Sequence, residues 1–135
     1  MFKIATIIAI SMLAAIPAHA EIIGAKVVDA MDLQISPNKY KQKGIEVRGV
    51  RCYHADEDEY RCTHTSADIM IMGLNIEPAS AKSALEESCG EIRKVFSSPK
   101  CRFTIRLYPS LIDQDEISGG QKRTVIGAET IEIVK

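Results

Sequence analysis

The chain has 135 residues, with 17 Lys and Arg against 18 Asp and Glu and a formal net charge of −1. That near balance gives no electrostatic case for a general polyanion binder. With no Trp, four Tyr and three Phe, the chain also lacks the aromatic supply of a base-stacking surface, so nucleic acid is set aside as a partner class.

Met1-Phe2-Lys3 supplies a basic start, Ile4 to Ile16 an apolar run and Pro17-Ala18-His19-Ala20 an A-x-A end, the order of a secretory signal peptide. The apolar run falls short of the about 20 residues that cross a bilayer. Residues 1–20 therefore read as a leader cleaved near Ala20 rather than as an anchor. The expected address is the periplasm, or outside the cell, with no membrane span in the mature protein. What remains, Glu21 to Lys135, is the size of one hydrophobic core.

Residues 21–39 are weakly patterned, with a short apolar stretch at Ala25 to Val28 and the turn residues Ser36-Pro37-Asn38, and are expected to form an arm or lead-in strand. From Gly44 the alternation is strong. Ile45 and Val47 share one phase, and after Gly49 the phase shifts by one to Val50 and Cys52, as a glycine bulge inserted into a long strand would make it. The acidic run Ala55 to Glu59 reads as a hairpin tip, and Tyr60 to His64 as the returning strand that brings Cys62 opposite Cys52. Asp68 to Met72 reads as a third strand, apolar on both faces and so covered on both, stopped by Gly73. Pro78, the run Ala79 to Glu87 and Gly90 predict a helix with Ala81, Leu85 and Cys89 on its buried stripe. Cys101 to Leu107 alternates cleanly as a fourth strand, Asp113 to Gly120 reads as an exposed loop, and Thr124 to Val134 as the last strand, with Ile131 and Ile133 inward.

All four cysteines lie in the mature part, and an even count in a small exported domain reads as two disulfides. Of the three connectivities, Cys52 with Cys62 and Cys89 with Cys101 is favoured, because each pair brackets one short excursion of the chain. The alternative is a zinc site from Cys52-x-His54 and Cys62-x-His64, whose alternation points each Cys the same way as its His. An oxidising compartment and the unusual C-x-H spacing favour the disulfides.

The order strand, strand, strand, helix, strand, strand resembles the OB fold, a partly open five-stranded Greek-key barrel. The resemblance covers residues 40–135. It rests on Lys41-x-x-Gly44-Ile45-x-Val47-x-Gly49-Val50, on the placement of the helix between strands three and four, and on Gly127-Ala128-x-x-Ile131-x-Ile133. The chain looks like the exported bacterial OB-fold proteins of uncharacterised function, related in shape to anticodon-binding domains. The resemblance implies a mainly β fold and carries no activity with it.

If Cys52 faces Cys62, then Arg51, Tyr53, Arg61 and Thr63 project together from the other face of the ribbon. Arginine offers fixed planar donors and tyrosine a stacking face, so this is the candidate surface for a protein, a glycan or a small anionic ligand. Asp56, Glu57, Asp58 and Glu59 lack the spacing of a Ca²⁺ loop and read as a hydrated tip. Arg102, Arg106, Asp113 and Glu116 are the residues a phosphodiester-cleaving enzyme would draw on, in no recognisable motif. The chain has no G-x-S-x-G, H-E-x-x-H or P-loop, and no cofactor, metal or catalytic residue is expected. The expected function is a non-enzymatic binding module. The alternatives are a secreted phosphodiesterase on the same fold and a glycan-binding subunit resembling toxin B subunits.

Overall fold

The structure is a computed structural model and describes residues 22–117 and 121–134. The leader lies outside the described residues, as do residues 118–120 of the expected loop. Seven strands are present among the described residues: β1 (Lys26–Val27), β2 (Ile45–Asp56), β3 (Glu59–His64), β4 (Ile69–Glu77), β5 (Arg102–Leu107), β6 (Leu111–Ile117) and β7 (Gln121–Val134). Three α-helices accompany them, α1 (Ala30–Ile35), α2 (Ala79–Ser88) and α3 (Ile92–Val95).

The fold is mainly β, and five of its strands form a ring. β2 pairs with β3, β3 with β4, β4 with β7 and β7 with β5, and β5 pairs back onto β2. All these pairings are antiparallel except β4 with β7. The strand β2 can serve two neighbours because it bends. Its register against β5 shifts between Val47 and Val50, and Gly49 sits in the shift at φ +70°. This is the expected glycine bulge. Gly49→Ala is expected to cost about 1–2 kcal/mol, the usual penalty for a side chain in the left-handed region, readable as a lowered denaturant midpoint.

Five strands were expected and seven are found. The extra strands have separate causes. β1 is a two-residue addition, parallel to β2, from the segment expected as an arm or lead-in strand. β5 and β6 are two halves of one strand: Arg106 faces Glu132 and Leu111 faces Gly127, so the register along β7 is unbroken. Pro109 interrupts the ladder between them, since it offers no N–H to pair. The expected exposed loop Asp113 to Gly120 is thus largely strand, because β6 runs to Ile117. β4 likewise continues past Gly73 to Glu77. A side chain at Gly73 would meet Ile131 at 2.7 Å, so this glycine makes room for the core without ending the strand.

The expectation of one helix is also corrected. α2 takes its predicted place, with Leu85 and Cys89 fully buried. α3 follows it before β5, and α1 precedes the ring. α1 escapes a periodicity reading because it has only six residues; Asp29 starts it by accepting hydrogen bonds from the Met31 and Asp32 amides. Leu33 of α1 is fully buried, so residues 28–40 contribute to the core through Val28, Ala30, Leu33 and Tyr40. The ring interior is filled by Val47, Val50, Ile71, Ile105, Ile126 and Ile131, closed on one side by Leu85. Each such side chain contributes about 1.5–3 kcal/mol of transfer free energy.

Both disulfides pair as expected, Cys52 with Cys62 and Cys89 with Cys101, and all four sulfurs belong to buried residues. The first bridge joins directly opposed residues of β2 and β3. The second ties the end of α2 to the start of β5, closing the segment that holds α3.

Candidate functional site

Residues in register on neighbouring strands share a face, and successive residues alternate between faces. Because Cys52 and Cys62 point into the core, their neighbours point outward. Followed across the sheet, one outward row runs Tyr53, Arg61, Met72, Gly127, Leu111. The next runs Arg51, Thr63, Met70, Val125, Asp113. The four residues expected to form a ligand surface are therefore brought together, and they are one end of a wider face that continues over β4, β7 and β6.

That end is largely covered. Tyr53 is 8% exposed. Arg51 donates from Nη1 to the carbonyls of Val95 at 2.9 Å and Ser98 at 3.3 Å, which holds the α3 segment down over the ribbon. Arg61 donates from Nη2 to Glu59 Oε2 at 2.9 Å, and the Glu59 carboxylate holds the guanidinium even more firmly protonated than usual. Its Nε is buried with no hydrogen-bond partner among the described residues. Thr63 is half-buried. A hollow of 530 Å³ remains between Tyr53, Arg61, His54 and the turn at Gly90 to Arg93.

The other end is open. Met70 and Met72 are only half-buried and Leu74 is 66% exposed, so the second apolar face of β4 is not covered as expected. Leu111 on β6 is 73% exposed. Between these walls runs a groove of 680 Å³ whose floor is Val125 and Gly127 of β7. Gly127 keeps the floor low: a side chain there would meet Leu111 Cβ at 3.1 Å. Glu59, Asp113 and Glu129 stand among its lining residues. Exposed apolar side chains gathered around one concavity, unlike singly scattered ones, are the ordinary mark of a contact surface.

The remaining candidates lie apart from this groove or are engaged elsewhere. His54 stacks on Tyr60 at 4.8 Å between ring centres, and His64 accepts from the Ser66 amide at Nδ1. Their cysteine neighbours are oxidised, so the Cys₂His₂ alternative is overturned by the pairing itself. Tyr60 donates to Glu86 at 2.6 Å, and burial together with that bond pushes its phenol up to about 12. Asp56, Glu57 and Asp58 are exposed at the hairpin tip. Of the residues a phosphodiesterase would draw on, Arg106 is held by the buried Glu46, Arg102 is exposed beside Gly49, and Asp113 lines the groove, so these three do not meet around one pocket. Among the described residues, no group of three or more His, Cys, Asp or Glu comes together as a metal site, and no helix is long and apolar enough to cross a membrane.

Sequence reasoning missed Leu74, Leu111 and the methionine row. The signal was present in Met70 and Met72: an apolar second face on a strand followed by no second covering segment. Compared with protein families, curated proteins and solved structures, the chain matches none.

Proposed function

We propose that the protein is an exported, non-enzymatic binding module of OB type whose contact surface is the groove between β4 and β6. Four features support the OB reading: the ring order, its single parallel pair, the glycine-bulged strand shared by two neighbours, and the helix between the third and fourth strands of the ring. In such folds the second and third strands, here β3 and β4, carry the ligand face. The leader pattern and the two disulfides support a periplasmic or secreted location.

The observation that carries the proposal is the exposure of Leu74 and Leu111 on the two walls of one 680 Å³ groove. Leaving both side chains in water loses roughly 1.5–3 kcal/mol each that a partner would recover. A photo-crosslinking amino acid placed at position 74 or 111, in the full chain expressed with its leader, is expected to give a discrete adduct in the periplasmic fraction. The same probe at Glu87, exposed on α2 and away from the groove, is expected to give none. Adducts at position 87 alone would move the contact surface elsewhere, and adducts at none of the three positions would end the binding-module reading.

A further inference from the structure

The chemistry of the groove narrows what fills it. Its walls are Met72, Leu74 and Leu111, all flexible aliphatic or thioether side chains, and among the described residues no aromatic ring lines it. A sugar therefore finds no stacking face there. Among the described residues, the charged ones that line it are carboxylates, Glu59, Asp113 and Glu129. Arg61, next to Met72 across the ladder, has its guanidinium turned to Glu59. Glu59 is thus already paired with a cation, and at Asp113 and Glu129 an anionic ligand would meet repulsion and a cationic one attraction.

The groove is also linear, because β4, β7 and β6 run alongside one another. From Val125, level with Asp113, to Glu129 is four residues of strand, about 13 Å at 3.3 Å per residue. An extended polypeptide of four or five residues spans the same length and presents alternate side chains to one side. One way of seating a second copy of this chain is disfavoured by charge. The outer edge of β6 has no strand partner among the described residues, yet pairing two copies antiparallel about Gln114 sets Asp113 against Asp115 at both ends. Like charges directly opposed across a ladder are destabilising.

We infer that the groove receives an extended segment of a partner protein in which one or two long aliphatic side chains are flanked by Lys or Arg, the apolar group seating on Gly127 between Leu74 and Leu111 and the cations meeting Asp113 and Glu129. This rests on the groove being the contact surface proposed above. It adds the class of partner, and the partner's apolar and basic groups are both required.

The test is selection of random peptides displayed on phage against the purified mature protein, followed by titration of the enriched sequences as fluorescent synthetic peptides. Enrichment of aliphatic residues flanked by Lys or Arg is expected, with affinity falling as salt is raised. The double variant Leu74→Ser, Leu111→Ser and the double variant Asp113→Lys, Glu129→Lys are each expected to weaken binding at least about tenfold. All four positions are exposed, so unchanged thermal melting confirms that both variants are folded. Peptides that bind the leucine variant undiminished would remove the groove itself from the reading. Peptides lost by the leucine variant but indifferent to the lysine variant, or enriched in Asp and Glu, would overturn the charge assignment and leave the groove standing. Absence of any enriched peptide, concentration-dependent dimerisation through Leu111 in sedimentation, or binding instead to phosphatidylglycerol vesicles would each overturn the proposal in favour of another occupant.

Discussion

Replacing Cys89 and Cys101 by alanine is expected to lower the unfolding free energy by about 2–4 kcal/mol and the melting temperature by roughly 10–20 °C. The bridge closes a separation of 12 residues, and the loop-closure entropy it removes from the unfolded chain accounts for that range. A second effect distinguishes it from Cys52–Cys62, whose separation of 10 is nearly the same. Cys52 and Cys62 are already opposed in a hairpin held by its own ladder. The segment between Cys89 and Cys101 has no ladder. Among the contacts that hold it are the bridge, the burial of Val95, and the two bonds from Arg51 to Val95 and Ser98. Loss of Cys89–Cys101 is therefore expected to raise amide exchange across residues 90–100 selectively, while Cys52→Ala with Cys62→Ala lowers stability without that local signature. Hydrogen exchange followed by mass spectrometry reads both. Uniform exchange changes in the two variants would show that the bridge is not what holds the α3 segment.

That segment also explains how much of the site was legible in the sequence. The co-facial set Arg51, Tyr53, Arg61 and Thr63 follows from one local fact, the opposition of Cys52 and Cys62, and strand alternation carries the rest. Its covering by α3 depends on a chain reversal brought back from about 40 residues away, which no local period encodes. The same division runs through the fold. The bulge at Gly49, the alternation from Cys101 to Leu107 and the helix between Pro78 and Gly90 are each written in consecutive residues. β6 is not, because Asp113-Gln114-Asp115-Glu116 has no apolar phase and becomes a strand only through its pairing with β7. For β4, alternation cannot distinguish an apolar face that is covered from one left half-open. Met70 and Met72 therefore read as core until the neighbouring strands are placed, and Leu74 lies past Gly73, where the sequence reading ends the strand.

The remaining large effect lies in a charge network that neither the cysteines nor the apolar pattern announces. Register places Arg106 of β5 between Glu46 of β2 and Glu132 of β7, and both glutamates are buried. Arg106 donates from Nε to Glu46 at 3.0 Å, lies 3.9 Å from Glu132 through Nη1, and donates from Nη1 to the Ile22 carbonyl at 3.3 Å. Glu132 in turn accepts from the Ile22 amide at 3.0 Å, so the network also fastens the start of the described chain. Arg106→Leu keeps the apolar stem but takes away the cation shared by two buried carboxylates, and is expected to cost about 3 kcal/mol near pH 7.

Its pH dependence has a definite sign. The hydrogen bond from Arg106 is the main cause holding the Glu46 carboxyl below its ordinary value of 4.5, against the opposing effect of burial. A carboxyl depressed on folding adds stability above its unfolded value and loses it as the pH falls through the folded one. In the variant the Arg106 hydrogen bond is gone and burial is opposed by the exposed Arg48 alone, so the Glu46 carboxyl is held down less than in the wild type. The wild type thus loses more stability on acidification than the variant, and the gap between them is expected to shrink towards pH 4. Denaturant titrations at both pH values measure it, with Arg48→Leu, an exposed partner, expected to cost no more than about 0.5 kcal/mol. A gap that stays constant with pH would assign the loss at Arg106 to packing instead of to the two carboxylates it separates.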